Sequence, residues 1–167
     1  MNRISFPPAK PFLQSFLWTL LLVPCAARVQ AQGGVSKTPI QWQYSAKKVA
    51  DKTFEVHMTA VLESGWHAFS QSQPKEAVAQ PTEIKFKPNP LIGIQGKVKE
   101  VGNLEKWQDE ATGIKAYQYE NQVDFVQVVK VKGNAKTSVS VSLTYQLCTD
   151  KMCLPAKTDN FTVPLSE

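Results

Sequence analysis

From Val139 to Cys148 the chain reads Val-Ser-Val-Ser-Leu-Thr-Tyr-Gln-Leu-Cys, with apolar residues at every odd position up to Leu147. A period of two sends successive side chains to opposite faces, so this segment builds a half-buried strand and cannot present one apolar stripe as a helix. The same rhythm recurs. Phe54, Val56, Met58 and Ala60 alternate with Thr53, Glu55, His57 and Thr59; Ile84 and Phe86 alternate with Glu83, Lys85 and Lys87; Phe161, Val163 and Leu165 repeat it near the C-terminus. Val123 to Val131 is apolar on both parities, which predicts a central strand or one carrying a bulge. Turn signals fall at Ser64-Gly65, Pro88-Asn89-Pro90, Val101-Gly102-Asn103 and Lys132-Gly133-Asn134. After the first thirty residues no helical period is sustained, and residues 72–80 offer one helical turn at most. Roughly eight strands in one unit predict an all-β antiparallel sandwich, with a closed barrel as the competitor.

The first thirty residues follow different rules. Arg3 and Lys10 lead a hydrophobic run from Phe12 to Val23, small residues follow up to Val29-Gln30-Ala31, and no acid occurs before Asp51. This is the three-part layout of a secretory signal peptide, and its apolar core is shorter than the roughly 20 residues of a membrane span. The reading is residues 1–31 as a signal peptide cleaved after Ala31, with residues 32–167 as the exported domain. A lipoprotein site at Cys25 is disfavoured by Pro24, where a small residue is wanted.

The chain carries a formal charge of +5. Residues 1–31 hold Arg3, Lys10 and Arg28 but no acid, so 16 of the 19 cations remain against 14 acids, a mature charge of +2. The remaining lysines are interspersed with acids, as in Glu83-Ile84-Lys85-Phe86-Lys87. Without a basic stripe or an aromatic platform, no nucleic-acid partner is expected.

Cleavage also removes Cys25 and leaves Cys148 and Cys153. An even count in an exported chain favours a disulfide. Strand parity places Cys148 on the polar face with Ser140, Ser142, Thr144 and Gln146; Thr149 to Met152 is a polar four-residue connection, and if it is a hairpin the cysteines stand opposed at its mouth. Closing so short a loop restrains the unfolded chain by only about 2 kcal/mol, against ~4.7 for a loop of about 100 residues. A bridge between cross-strand neighbours draws them closer than their usual spacing, and strained, exposed bridges are the labile ones. Spacing alone leaves a redox pair and a small structural clip equally open. His57 and His67 lie far from the pair and no four-ligand zinc pattern is evident, so neither a metal nor another cofactor is expected.

The segment Tyr145-Gln146-Leu147-Cys148-Thr149-Asp150-Lys151-Met152-Cys153-Leu154-Pro155 resembles the redox motif of the N-terminal periplasmic domain of DsbD, the transmembrane thiol:disulfide interchange protein. The resemblance extends over nearly all of the mature chain. It includes Trp42 with Tyr44-Ser45, Gly65-Trp66-His67-Ala68-Phe69-Ser70-Gln71, Pro81-Thr82, and Phe161-Thr162-Val163-Pro164-Leu165. It implies an immunoglobulin-like sandwich in the periplasm, with Cys148 and Cys153 as a reversible pair and Cys153 as the attacking thiol. It further implies a membrane-embedded thiol reductase as electron donor and periplasmic thioredoxin-like proteins as acceptors. A membrane region does not follow this domain before Glu167, so the donor is expected to be a separate protein and the domain a monomer. The rival from another class is a secreted immunoglobulin-like binding domain whose hairpin disulfide is inert.

The family also shields its disulfide with an aromatic side chain on a cap loop. That loop aligns with Asp109-Glu110-Ala111-Thr112-Gly113, where the aromatic position is Ala111, and nearby Trp107 is the candidate substitute. Pro155 is followed by Ala156 where the family usually has a second proline. Asp109 and Glu110 are candidates to tune a thiol's pKa, with solvated loop acids as the alternative. His67 beside Trp66 is a candidate of the same kind, against a structural histidine. His57, on the polar parity of its strand, is expected at the surface.

Overall fold

The computed structural model describes residues 38–134 and 136–166; the proposed signal segment and Cys25 lie outside them. Among the described residues nine strands follow in order: β1 (Ile40–Ala50), β2 (Thr53–Leu62), β3 (His67–Phe69), β4 (Glu83–Phe86), β5 (Ile92–Gln108), β6 (Lys115–Val131), β7 (Thr137–Tyr145), β8 (Leu147–Cys148) and β9 (Lys157–Leu165). They form two antiparallel sheets. The larger runs β1-β2-β6-β3-β8, with β5 on the other side of β6, and the smaller runs β4-β7-β9. This is the expected all-β sandwich of immunoglobulin-like type.

The alternating positions go where their parity sends them. Val139, Val141 and Leu143 of β7 are fully buried, and so are Val56, Met58 and Ala60 of β2 and Val123, Phe125 and Val129 of β6. Burying each such side chain contributes about 1.5–3 kcal/mol. Outside the core, β7 and β9 are laced by hydroxyl pairs, Ser140 with Thr162 at 2.9 Å and Thr144 with Thr158 at 2.8 Å. The rims of the two sheets meet where Tyr44 of β1 stacks on Phe161 of β9, ring centroids 3.6 Å apart.

The doubly apolar β6 is the central strand, paired with β5 on one side and with β2 and then β3 on the other. The change of partner falls at Asn121, which has φ of 62°. Residues 122–130 pair with β2, and residues 118–120 pair with β3. The left-handed backbone at Asn121 turns the strand between these two partners. Opposite it, β5 shifts register between Gly102 and Leu104. A Cβ at Gly102 would stand 3.0 Å from the Gln122 carbonyl oxygen and 3.2 Å from the Tyr119 ring, so glycine allows the close approach of the two strands here. Val101-Gly102-Asn103 is therefore a bulge within β5 and not the turn its composition suggested. The other three turn signals lie between strands as expected, and residues 72–80 form no helix.

β7 and β8 are one run in sequence but belong to different sheets. Tyr145 pairs with Lys157 in the smaller sheet, whereas Leu147 pairs with Ala68 in the larger one. The chain crosses between layers at Gln146. Its side chain holds the crossing by donating to the Leu154 carbonyl (3.2 Å) and accepting from the Gln80 amide (2.9 Å).

Candidate functional site

The crossing delivers Cys148 to the end of the sandwich. Leu147 still points into the main core, and Cys148 takes the opposite face, as parity requires. That face is not the open polar surface the alternation predicted. Past the crossing it is covered by Phe69 of β3 and Ala116 of β6, with Ala79 packed against them, and Cys148 is 5% exposed. Cys153 is exposed. The two cysteines differ in access although they are cross-strand partners, joined in a disulfide with Cα atoms 4.0 Å apart.

Main-chain bonds build the hairpin that carries them. The Leu154 amide donates to the Leu147 carbonyl and the Thr149 amide to the Met152 carbonyl, both at 2.8 Å. The Thr149 hydroxyl oxygen accepts from the amides of Lys151 (3.3 Å) and Met152 (3.2 Å) at the tip. The segment after β3 closes over the pair from the other side. Ser70 donates to the Tyr117 carbonyl (2.9 Å), and the Gln73 amide group both donates to that carbonyl (2.6 Å) and accepts from the Tyr117 N–H (3.0 Å), extending the sheet by a side chain. The carboxylate of Glu100 fixes the start of this segment. It accepts from the Gln71 N–H (2.7 Å), the Gln71 side-chain amide (3.0 Å) and the Tyr119 hydroxyl (2.6 Å). Burial and the Glu100 charge push the Tyr119 phenol up from its ordinary value.

A cleft of about 300 Å³ opens over the disulfide, lined by both cysteines, Phe69, Val78, Trp107, Ile114 and neighbouring residues. Trp107 stands opposite Ala116 in the β5–β6 pairing and forms part of the cleft wall. Ala111, Asp109 and Glu110 do not line it. The Asp109 carboxylate instead holds the β5–β6 turn, accepting from the N–H groups of Ala111 (2.8 Å) and Thr112 (2.9 Å). The Thr112 hydrogen bonds, more than that from Ala111, hold its carboxyl below the ordinary carboxylate range. The turn employs Asp109, and Glu110 is exposed.

His67 lies closer to the pair than the sequence implied. It is buried (6% exposed) and stands in register with Cys148 across the β3–β8 pairing. Its Nε2 faces Asp150 Oδ1 at the hairpin tip (3.3 Å), and its Nδ1 faces Glu120 Oε1 on β6 (3.2 Å). Asp150 and Glu120 escaped the sequence reading because they lie 83 and 53 residues from His67, and only the β3–β6 and β3–β8 registers bring them together. His57 is partly exposed and engages Asp124 through Nδ1 at 2.7 Å.

Residues 34–165 match the family model described as thiol:disulfide interchange protein DsbD, N-terminal. The chain belongs to this family. It is a redox domain of the DsbD N-terminal type, with a cysteine pair capable of disulfide chemistry. Among solved structures, it resembles the N-terminal periplasmic domain of ScsB from Proteus mirabilis at 16% identity and TM-score 0.51, over 75% of this chain and 46% of that one. The Neisseria meningitidis DsbD N-terminal domain in its reduced form is 19% identical, with 74% and 84% of the two chains covered and a TM-score of 0.47. The same bacterium's DsbD N-terminal domain in complex with the PilB N-terminal domain gives 18%, 74% and 80%, and 0.45. No curated protein matches the chain.

Proposed function

We propose that residues 1–31 direct export to the periplasm and that residues 32–167 relay electrons by thiol–disulfide exchange, from a membrane-embedded thiol reductase to thioredoxin-like acceptors. The observation that carries this reading is the asymmetry of the pair within a DsbD-type domain: Cys153 exposed, Cys148 buried. A donor thiolate attacks the reachable Cys153 sulfur, and Cys148 leaves as the thiolate. The donor's second thiol then resolves this mixed disulfide, leaving the donor oxidised and the domain as a dithiol. In the forward step the Cys153 thiolate attacks an acceptor disulfide and expels one acceptor thiolate. Cys148 next attacks the Cys153 sulfur and releases the second, so the acceptor gains two electrons and the Cys148–Cys153 bond re-forms. Trp107 and Ile114 on the cleft wall limit access to the sulfurs between encounters.

The test is trapping in the exporting cell, read by non-reducing electrophoresis. Cys148→Ala leaves the exposed thiol without its resolving partner and should accumulate mixed disulfides with thioredoxin-like proteins, whereas Cys153→Ala should accumulate few. If neither variant traps a partner, the domain is a binding module with an inert clip. Trapping by Cys153→Ala alone would keep the relay and reverse the two sulfurs.

A further inference from the structure

Beside the cysteine hairpin, where His67 also lines the cleft over the disulfide, three side chains from adjacent strands converge. His67 of β3 stands in register with Glu120 of β6, and Glu105 of β5 pairs with Gln118 two residues before Glu120. Their nearest donor atoms all lie within 4.8 Å of one another, with His67 Nδ1 3.2 Å from Glu120 Oε1. A tetrahedral ion with bonds of about 2.0–2.1 Å needs its ligands about 3.3–3.4 Å apart. The His67–Glu120 edge already has that length. Glu105 and Glu120 are both exposed, so packing does not lock their carboxylates in place.

We propose that His67 Nδ1, Glu105 and Glu120 form a binding site for a divalent transition cation of the zinc type. Three observations carry the assignment besides the distances. First, the far side of the ring is already arranged: His67 Nε2 faces the Asp150 carboxylate at 3.3 Å. An imidazole that ligates a metal through one nitrogen almost always donates its other N–H to such an acceptor, which fixes the tautomer with Nδ1 free to bind. Second, three carboxylates surround this one imidazole, a surplus of negative charge that a divalent cation offsets more fully than a proton on His67. Third, a recess of about 270 Å³ lined by Asn103, Glu105, Glu120 and Asn121 opens over the carboxylates and provides an entry path and room for water ligands. Gln118, whose amide donates to Glu105 Oε2 at 3.0 Å and lies 3.4 Å from His67 Nδ1, ties these two side chains together. One nitrogen and two carboxylate oxygens suit zinc and its first-row neighbours, whereas calcium and magnesium take oxygen ligands. The proposal does not rest on the redox reading.

The experiment is calorimetric titration of zinc chloride near neutral pH into the metal-stripped domain with its disulfide intact, so that no thiolate competes as a ligand. One equivalent should bind, with the same affinity in the Cys148→Ala/Cys153→Ala variant. Glu105→Gln and Glu120→Gln alter exposed side chains and should keep the wild-type circular dichroism while weakening binding by at least about 10-fold each. His67→Gln should remove it; should that variant fail to fold, the two glutamate variants decide. Absence of saturable binding up to millimolar zinc would overturn the proposal. So would wild-type affinity in both glutamate variants. In either case His67 is a structural tie between Gln118 and Asp150.

Discussion

A relay has to stay folded in both oxidation states, and that requirement can be tested on the Cys148–Cys153 bond. The bridge closes a loop of six residues (sequence separation 5), for which the chain-entropy relation gives about 2 kcal/mol at 25 °C. Substitution at Cys148 adds a packing cost, because that side chain is 5% exposed against Phe69 and Ala116. Alanine is the appropriate replacement there, since serine would bury a hydroxyl. With the lost sulfur contacts, the Cys148→Ala/Cys153→Ala variant should lose about 2–3 kcal/mol in all. Domains of this size have about 5–15 kcal/mol of stability, and the fully buried residues of β2, β6 and β7 are untouched. The variant should therefore remain folded, with its urea midpoint lowered by about 1 M for a slope near 2 kcal/mol/M. Wild-type protein reduced with excess dithiol should behave alike. Equilibrium urea unfolding followed by tryptophan fluorescence measures all three species. Unfolding of the reduced or double-alanine protein at 25 °C without denaturant would refute the argument and make the bridge a structural clip.

Three further outcomes follow from the geometry. Trp107→Ala should speed reduction of the disulfide by a small thiol, measured by stopped-flow alkylation, whereas Ala111→Phe should leave the rate unchanged because Ala111 does not line the cleft. Glu100→Ala removes the acceptor of three hydrogen bonds, one from the buried Tyr119 hydroxyl, and should cost about 3 kcal/mol in urea unfolding; Tyr119→Phe should cost less, and a double-mutant cycle should show the two coupled. The Asp109 carboxyl is lowered in the folded state, so its contribution is present above the unfolded value of about 3.9 and lost as pH falls through the lower folded value. Carboxyl NMR titration should find Asp109 below the ordinary range, and Asp109→Asn should flatten the acid limb of the stability profile.

What the sequence disclosed depended on how far apart the interacting residues lie along the chain. Alternation is a local property, so the strands of Val139–Leu147 and Phe54–Ala60 and the centrality of Val123–Val131 were legible. Gly102 misled because glycine serves turns and bulges alike, and only the opposing Gln122 and Tyr119 distinguish the two. The parity of Cys148 was correct, but alternation does not reveal that a strand changes sheets. The crossing at Gln146 changed what covers that face. Asp109 was legible as a residue of special chemistry but not as a turn former, since both uses draw on the same carboxylate. His67 lay furthest from view. Its environment is made of residues from β5, β6 and the hairpin tip, and no spacing rule for metal ligands spans such distances.

The arrangement around the hairpin explains how a sandwich can carry a reversible bond at its rim. Opening the S–S bond leaves Leu154 N–H on the Leu147 carbonyl, Thr149 N–H on the Met152 carbonyl, and Gln146 tied to both Gln80 and Leu154. The His67–Asp150 contact anchors the tip to β3 independently of the sulfurs. In the proposed relay Cys148 and Cys153 should therefore stay cross-strand neighbours when reduced, and a mixed disulfide on Cys153 should keep its resolving thiol at intramolecular range. Orientation of this kind supplies effective concentrations far above any free thiol's, which favours release of the partner over a dead-end adduct.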